Sequence, residues 1–159
     1  MPELPTLYLE STVPAHLVSE PSRDLLVAAY QQVTRTWWDN WRIEYDIYIS
    51  EAVISEVRVG EADEVSRRLA LIESFKILGL SAEVEEVVKK YQRHLSLPKD
   101  AWLDMVHLAY ASVYKMDYLL TWDFKNIANG GVIMRLRKTN QELGISTPII
   151  LTPEALIDA

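Results

Sequence analysis

The stretch that most limits what this chain can fold into runs from Pro98 to Asn129, PKDAWLDMVHLAYASVYKMDYLLTWDFKNIAN, because a helical pattern there runs straight into a buried-strand pattern. Pro98 suits the first turn of a helix, where its missing N–H has no intrahelical partner to lose. Leu103, Val106, Tyr110 and Val113 then recur at helical spacing. At about 100° per residue, Asp100, Asp104 and His107 fall in one narrow sector beside that stripe, and Leu108 and Ala111 continue it. Carboxylates on a packed helix are costly to bury unless a partner neutralises them, and a divalent cation is one such partner. Tyr118, Leu119, Leu120 and Thr121 read next as a short buried parallel strand. Asp123 follows its carboxyl end, the place where open α/β sheets bind ligands.

The rest of the chain repeats this alternation. Thr6 to Leu9 reads as a first strand running into Glu10, with Ser11-Thr12-Val13-Pro14 as the turn that leaves it. Ser22 is placed to cap a long helix with the stripe Leu26, Ala29, Tyr30, Val33 and Trp37, ending near Tyr45. Trp37, Trp38 and Trp41 widen that face, which serves either core packing or a subunit interface. Asp46 to Ser50 has strand alternation, and Ser50 is placed to cap a helix that begins at Glu51, carries Glu56 and ends at Gly60. A helix from Glu61 to Ser74, a strand from Phe75 to Leu80 and a helix opened by Ser81 follow. His94 falls at the end of that last helix as a surface residue. Beyond Gly130-Gly131 a helix runs to Leu143 and stops at Gly144. Pro148 to Leu151 reads as the last strand, and Thr152-Pro153-Glu154 opens a terminal helix. Five strands alternating with helices predict an α/β domain with a mostly parallel sheet.

The chain has 159 residues, 49% of them hydrophobic, which suits one sizeable core and a single domain. No apolar run approaches the roughly 20 residues of a membrane span. The N-terminus has no basic and apolar leader pattern, so a soluble, cytoplasmic chain is expected. The absence of cysteine removes disulfides, thiolate ligands and cysteine nucleophiles. G-x-S-x-G, P-loop and G-x-G-x-x-G motifs are also missing, and three histidines make a poor basis for zinc. The net charge of −7 opposes long-range attraction of nucleic acid. A local rim of Lys125, Arg135, Arg137 and Lys138 is read either as phosphate contacts or as a solvated helix face.

Four fragments then carry a resemblance. YLEST puts Glu10 where Y-[LI]-D-[TS]-[ST] carries aspartate, SEAVISEV supplies Glu56, DMVHLAYA matches D-x-x-H-[LI]-A-x-A at Asp104, and TWDFKNI matches T-x-[DN]-x-x-[DNH]-[FI] at Thr121, Asp123 and Asn126. In this order the chain resembles, over nearly its whole length, the PIN-domain proteins found as VapC-like toxins of toxin-antitoxin modules. The resemblance implies a single PIN-like domain over residues 1–159. It also implies a three-layer α/β/α fold whose five-stranded sheet has the order 3-2-1-4-5, with the first and fourth strands adjacent at the topological switch point.

The same resemblance implies a metal-dependent ribonuclease that hydrolyses RNA phosphodiesters, with Glu10, Glu56, Asp104 and Asp123 as its catalytic residues. Glu10, Asp104 and Asp123 are expected to hold Mg²⁺ or Mn²⁺, since all-oxygen ligation selects a hard cation. Glu56 is expected to position water or a second ion. Ser11, Thr12, Thr121 and Asn126 are expected in support, and Lys125 and Arg135 at the substrate. His107 is expected beside the site, packed or hydrogen-bonded. A cognate antitoxin and a homodimer are the partners implied. Glu10 departs from the family aspartate by one methylene, which keeps a second expectation open: a weak or inactive PIN scaffold that binds RNA or protein. Asp100 adds a fifth carboxylate, read as a helix-terminus or solvent-facing residue.

Overall fold

The computed structural model describes residues 3–157. Five strands, β1 (Thr6–Leu9), β2 (Asp46–Ser50), β3 (Lys76–Leu78), β4 (Tyr118–Leu120) and β5 (Ile149–Leu151), form one sheet in the order β3-β2-β1-β4-β5. Every pairing is parallel, with Leu9 opposite Leu120 at the carboxyl ends of the two central strands. The expected fold class and strand order are those observed.

The central strand shows why the sheet is covered on both faces. Successive side chains of a strand point to opposite sides. Tyr8 faces the helix α6 (Trp102–Val113), its ring stacked 6.4 Å from Tyr110. Leu7 and Leu9 point the other way and are equally inaccessible, so helices must lie on both sides. Helices α1 (Thr12–Val18), α2 (Leu25–Asn40), α3 (Glu51–Val57), α4 (Ala62–Ile72), α5 (Ala82–His94) and α7 (Gly130–Leu143) complete the layers. α1 packs on α2 and α4, whereas α5 packs on α6 and α7.

Several local expectations are corrected. Ser11 to Pro14 does not form a turn but opens α1, because proline is tolerated in a first helical turn and the Glu10 carboxylate accepts the Thr12 N–H at 3.1 Å. α2 is capped by Asp24 rather than Ser22: its carboxylate accepts the N–H groups of Leu26 and Val27, each at 3.0 Å. The helix stops at Asn40, with a 3₁₀ turn over Arg42–Glu44. Its inward face holds Gln31, Thr34, Trp37 and Trp38, while Leu26 and Ala29 lie in solvent. Trp37 and Trp38 therefore belong to the core. Ser50 stands at the N-cap of α3 without capping it, since its hydroxyl pairs with the Tyr8 hydroxyl at 2.8 Å. α4 is shorter than Glu61 to Ser74 and is capped by Glu61, β3 is a short edge strand, β5 begins at Ile149, and the last helix is a 3₁₀ turn, Pro153–Leu156.

The α6 region differs most usefully. Pro98 precedes a 3₁₀ turn, Lys99–Ala101, and the α-helix starts at Trp102. The sector read as flanking is the buried one, with His107, Leu108 and Ala111 inaccessible, whereas Leu103, Val106 and Val113 are half-buried. Asp100 is exposed, and so is His94.

Gly144 ends α7 in the left-handed region at φ 72° with open space around its Cα, so only backbone strain opposes a side chain there. Gly144→Ala is expected to lower stability by about 1 kcal/mol, read as a shift in the urea midpoint at unchanged slope.

Candidate active site

Glu10 carries the strand ladder one residue past β1, its N–H donating to the Leu120 carbonyl at 3.1 Å. Its side chain is 2% exposed and accepts four hydrogen bonds. Oε1 receives the hydroxyls of Thr12 at 2.5 Å and Thr121 at 2.6 Å. Oε2 receives the Ser11 hydroxyl at 2.9 Å and the Thr12 N–H at 3.1 Å. Four donors compensate a buried carboxylate well. The extra methylene of glutamate thus turns the carboxylate back onto the hydroxyls of its own turn and of the strand next door.

The second carboxylate comes from α3. Glu56 Oε1 lies 3.0 Å from the same Ser11 hydroxyl, whose one proton it shares with Glu10, and is paired with His107 Nε2. His107 is wholly buried, and its Nδ1 lies 2.6 Å from the Tyr8 hydroxyl, which in turn reaches Ser50. Burial opposes protonation of this imidazole, but the Glu56 hydrogen bond and the carboxylates of Glu10, Glu56 and Asp104 outweigh it and raise its pKa. Burial likewise works against ionisation of Glu56, and the hydrogen bond and charge of His107 reverse it, leaving the Glu56 pKa lowered. Both shifts favour an imidazolium held against a carboxylate. Ligand atoms of Glu10, Glu56 and His107 lie within 4.8 Å of one another. Both nitrogens of the ring are engaged, so it is a packed, hydrogen-bonded residue as expected, with a structural partner the sequence did not reveal.

Asp104 and Asp123 form the other half. Asp123 follows β4, and its N–H donates to the Thr121 hydroxyl at 2.9 Å, the same hydroxyl that donates to Glu10. Its Oδ1 accepts the N–H groups of Lys125 at 3.0 Å and Asn126 at 2.9 Å, which curls residues 123–126 into a tight turn. That turn aims the Asn126 amide at Asp104 Oδ2, 2.9 Å away. Burial and the neighbouring Asp123 push the Asp104 pKa up to about 7, offset only in part by Asn126. Two carboxylates share this half-buried spot, and among the described residues neither has a cationic partner in a salt bridge.

All four acids therefore belong to one connected network, Glu56–Ser11–Glu10–Thr121–Asp123–Asp104, drawn from five separate elements and turns. Of the rim, Lys125, Arg137 and Lys138 are exposed. Arg135 is half-buried, and its Nε donates to the Leu95 carbonyl at the end of α5, 2.7 Å away. The participants that sequence reasoning passed over are Tyr8 and Ser50. Their alternation on the α6-facing side of β1 and β2 was legible, but the partner that selects them was not.

No protein-family model and no curated protein sequence matches this chain. Solved structures do. The VapC20 toxin of Mycobacterium tuberculosis, a Sarcin-Ricin loop cleaving toxin, superposes with a TM-score of 0.60 at 12% identity, over 76% of this chain and 92% of that one. VapBC2 of Rickettsia felis, solved bound to a DNA fragment from its promoter, gives 0.56 at 13% identity, over 92% of this chain and 98% of that one. At such identities the likeness is one of fold.

Proposed function

We propose that this chain, which has the VapC-like PIN fold, is a metal-dependent endoribonuclease that hydrolyses RNA phosphodiesters as the toxin of a toxin-antitoxin module. The observation that carries this reading is the Asp104–Asp123 pair: two carboxylates side by side, half-buried, with the Asp104 pKa raised to about 7 by burial and by Asp123. Such a pair suits a hard divalent cation, Mg²⁺ or Mn²⁺, which neutralises both. The named activity of VapC20 supports RNA as the substrate.

The residues divide the work by their surroundings. Asp104 and Asp123 would hold the cation, and the Asn126 amide keeps Asp104 turned toward Asp123. Glu10 holds Thr12 and Thr121 in place and reaches an ion only by giving up one of its four donors. Glu56, tied to His107 and Ser11 through Oε1, is set to orient water or the attacked phosphate with its remaining oxygen. Held by Asp104 and Asp123, such a cation would supply Lewis acidity to activate water and offset charge on the phosphate. Lys125 supplies positive charge at the rim. The antitoxin and the homodimer belong to the same proposal. An apolar groove of about 450 Å³ lined by Leu80, Val84, Val88, Trp102, Leu103 and Val106 is suited to an apolar segment of an antitoxin. Among the described residues no helix is long and apolar enough to cross a membrane.

The saturation of Glu10 favours one competing reading, a weakly active scaffold that binds RNA or protein. Cleavage of single-stranded RNA by the native chain, dependent on Mn²⁺ and abolished by EDTA, supports the nuclease. No cleavage together with no Mn²⁺-induced rise in Tm rejects it. The pH dependence sharpens the test. Between the unfolded carboxyl pKa of about 3.9 and the folded value of about 7, the native chain binds more protons at Asp104 than the unfolded chain does. Stability without metal therefore falls as pH rises through that window. Metal must displace the proton, so Mn²⁺ affinity is expected to drop by roughly tenfold per pH unit below 7. Calorimetric titration from pH 5.5 to 8 checks this, and a flat profile contradicts it.

A further inference from the structure

We propose that Phe124, backed by Tyr30 and Trp122, is a ledge on which one nucleobase of single-stranded RNA stacks beside the acidic pocket, with Lys125 holding the adjoining phosphate. The proposal rests on the ribonuclease reading and names the form of RNA the site accepts.

The turn that builds the pocket also builds the ledge. Asp123 Oδ1 gathers the N–H groups of Lys125 and Asn126, and the Asp123 carbonyl accepts those of Ile127 at 3.3 Å and Ala128 at 2.7 Å. Asn126 is thereby turned inward to Asp104, and Ile127 is wholly buried. Phe124 and Lys125, between these anchors, are left on the outside. Phe124 is 45% exposed, a large apolar ring in water next to a pair of carboxylates.

That ring is nonetheless rigidly supported. Its centroid lies 5.6 Å from Tyr30 and 5.9 Å from Trp122, and Tyr30 and Trp122 stack at 4.3 Å with planes 26° apart. Trp122 is fixed in turn: its backbone N–H donates to the Thr12 hydroxyl at 2.8 Å and its indole N–H to the Thr34 hydroxyl at 2.7 Å. Thr12 also donates to Glu10, so ledge and acids share one framework. A preorganised aromatic face binds at little cost in side-chain entropy. Lys125 is exposed and, among the described residues, forms no salt bridge. In a chain of net charge −7, an unpaired lysine next to an exposed aromatic ring is a local complement to a nucleotide. Bases of a duplex stack on each other, whereas single-stranded bases offer a free face to an aromatic side chain.

The test is binding of a labelled, mixed-sequence, single-stranded oligoribonucleotide to an Asp104→Asn background, in which the RNA stays intact. Phe124→Ala is expected to weaken binding roughly tenfold, and Phe124→Trp to retain it. An oligonucleotide of the same length with abasic sites is expected to bind the parent and Phe124→Ala alike. Lys125→Ala is expected to weaken binding and to flatten its salt dependence. Equal affinity of Phe124→Ala and its parent for the base-containing strand overturns the ledge, and so does an equal loss for the abasic strand. The two readings fail separately. Mn²⁺-dependent cleavage with no role for Phe124 removes only the ledge, and Phe124-dependent binding by a chain that never cleaves RNA removes only the nuclease.

Discussion

Asp104→Asn is expected to lower kcat/KM for RNA by at least about a hundredfold while making the metal-free protein more stable at pH 8. Replacing residues that merely support a metal ligand typically costs about 10–100-fold, and this substitution alters a proposed ligand itself. Asparagine keeps the shape of the side chain and an oxygen for the Asn126 amide, so the loss reads out charge rather than packing. The gain in stability has the same origin. At pH 8 the native chain holds two neighbouring carboxylates in a half-buried position, and burial together with Asp123 makes Asp104 resist ionisation. Removing one charge relieves this by on the order of 1 kcal/mol once solvent screening is allowed for, or roughly 2–4 °C in Tm. At pH 5, low in the window between the unfolded and folded Asp104 values, the difference should be smaller. A variant that loses activity and also melts lower at pH 8 would point to ordinary structural damage.

His107→Leu should be the most destabilising change at the site, by roughly 3–5 kcal/mol, as expected when one partner of a buried charged pair is removed. The ring is wholly buried, and its loss leaves the Glu56 carboxylate with Ser11 alone and the Tyr8 hydroxyl with Ser50 alone. Glu56→Gln alone leaves His107 without its charged partner. The double variant should cost less than the sum of the single ones, because neither leftover charge remains. Additive losses in urea unfolding would mean that the two side chains do not act as a pair. The pH dependence has a definite sign. The raised His107 pKa contributes stability below the unfolded value of about 6.5, and that contribution fades as pH rises through the folded value. The lowered Glu56 pKa contributes above about 4.3 and fades as pH falls through its folded value. The pair is therefore worth most in mildly acidic solution.

These expectations also mark how far local pattern reached. Short apolar runs at Thr6–Leu9, Asp46–Ser50 and Tyr118–Leu120 were readable as strands because alternation and β-branching act over a few neighbours. The end of α7 at Gly144 was readable for a similar reason, since a left-handed stop favours glycine. The misreadings cluster where two local signals competed. Ser11 to Pro14 contains turn-forming residues, yet Glu10 folds back to cap the Thr12 N–H and a helix starts instead. Ser22 and Asp24 are both good caps, and only the path of the chain chose Asp24.

The sequence by itself determined the residue types, their order, and the alternation of strands and helices that forces a covered parallel sheet. Spacing along one element decides those, and it needs no knowledge of partners. Only the tertiary structure decided that the four acids fall into two unlike halves: Glu10 and Glu56 held by hydroxyls and the His107 ring, Asp104 and Asp123 held by amide N–H groups with no cationic partner among the described residues. The physical reason is that a carboxylate's charge state and availability depend on donors brought from remote segments. Thr121 lies 111 residues from Glu10, and His107 lies 51 from Glu56. No periodicity in the chain encodes which of them will meet.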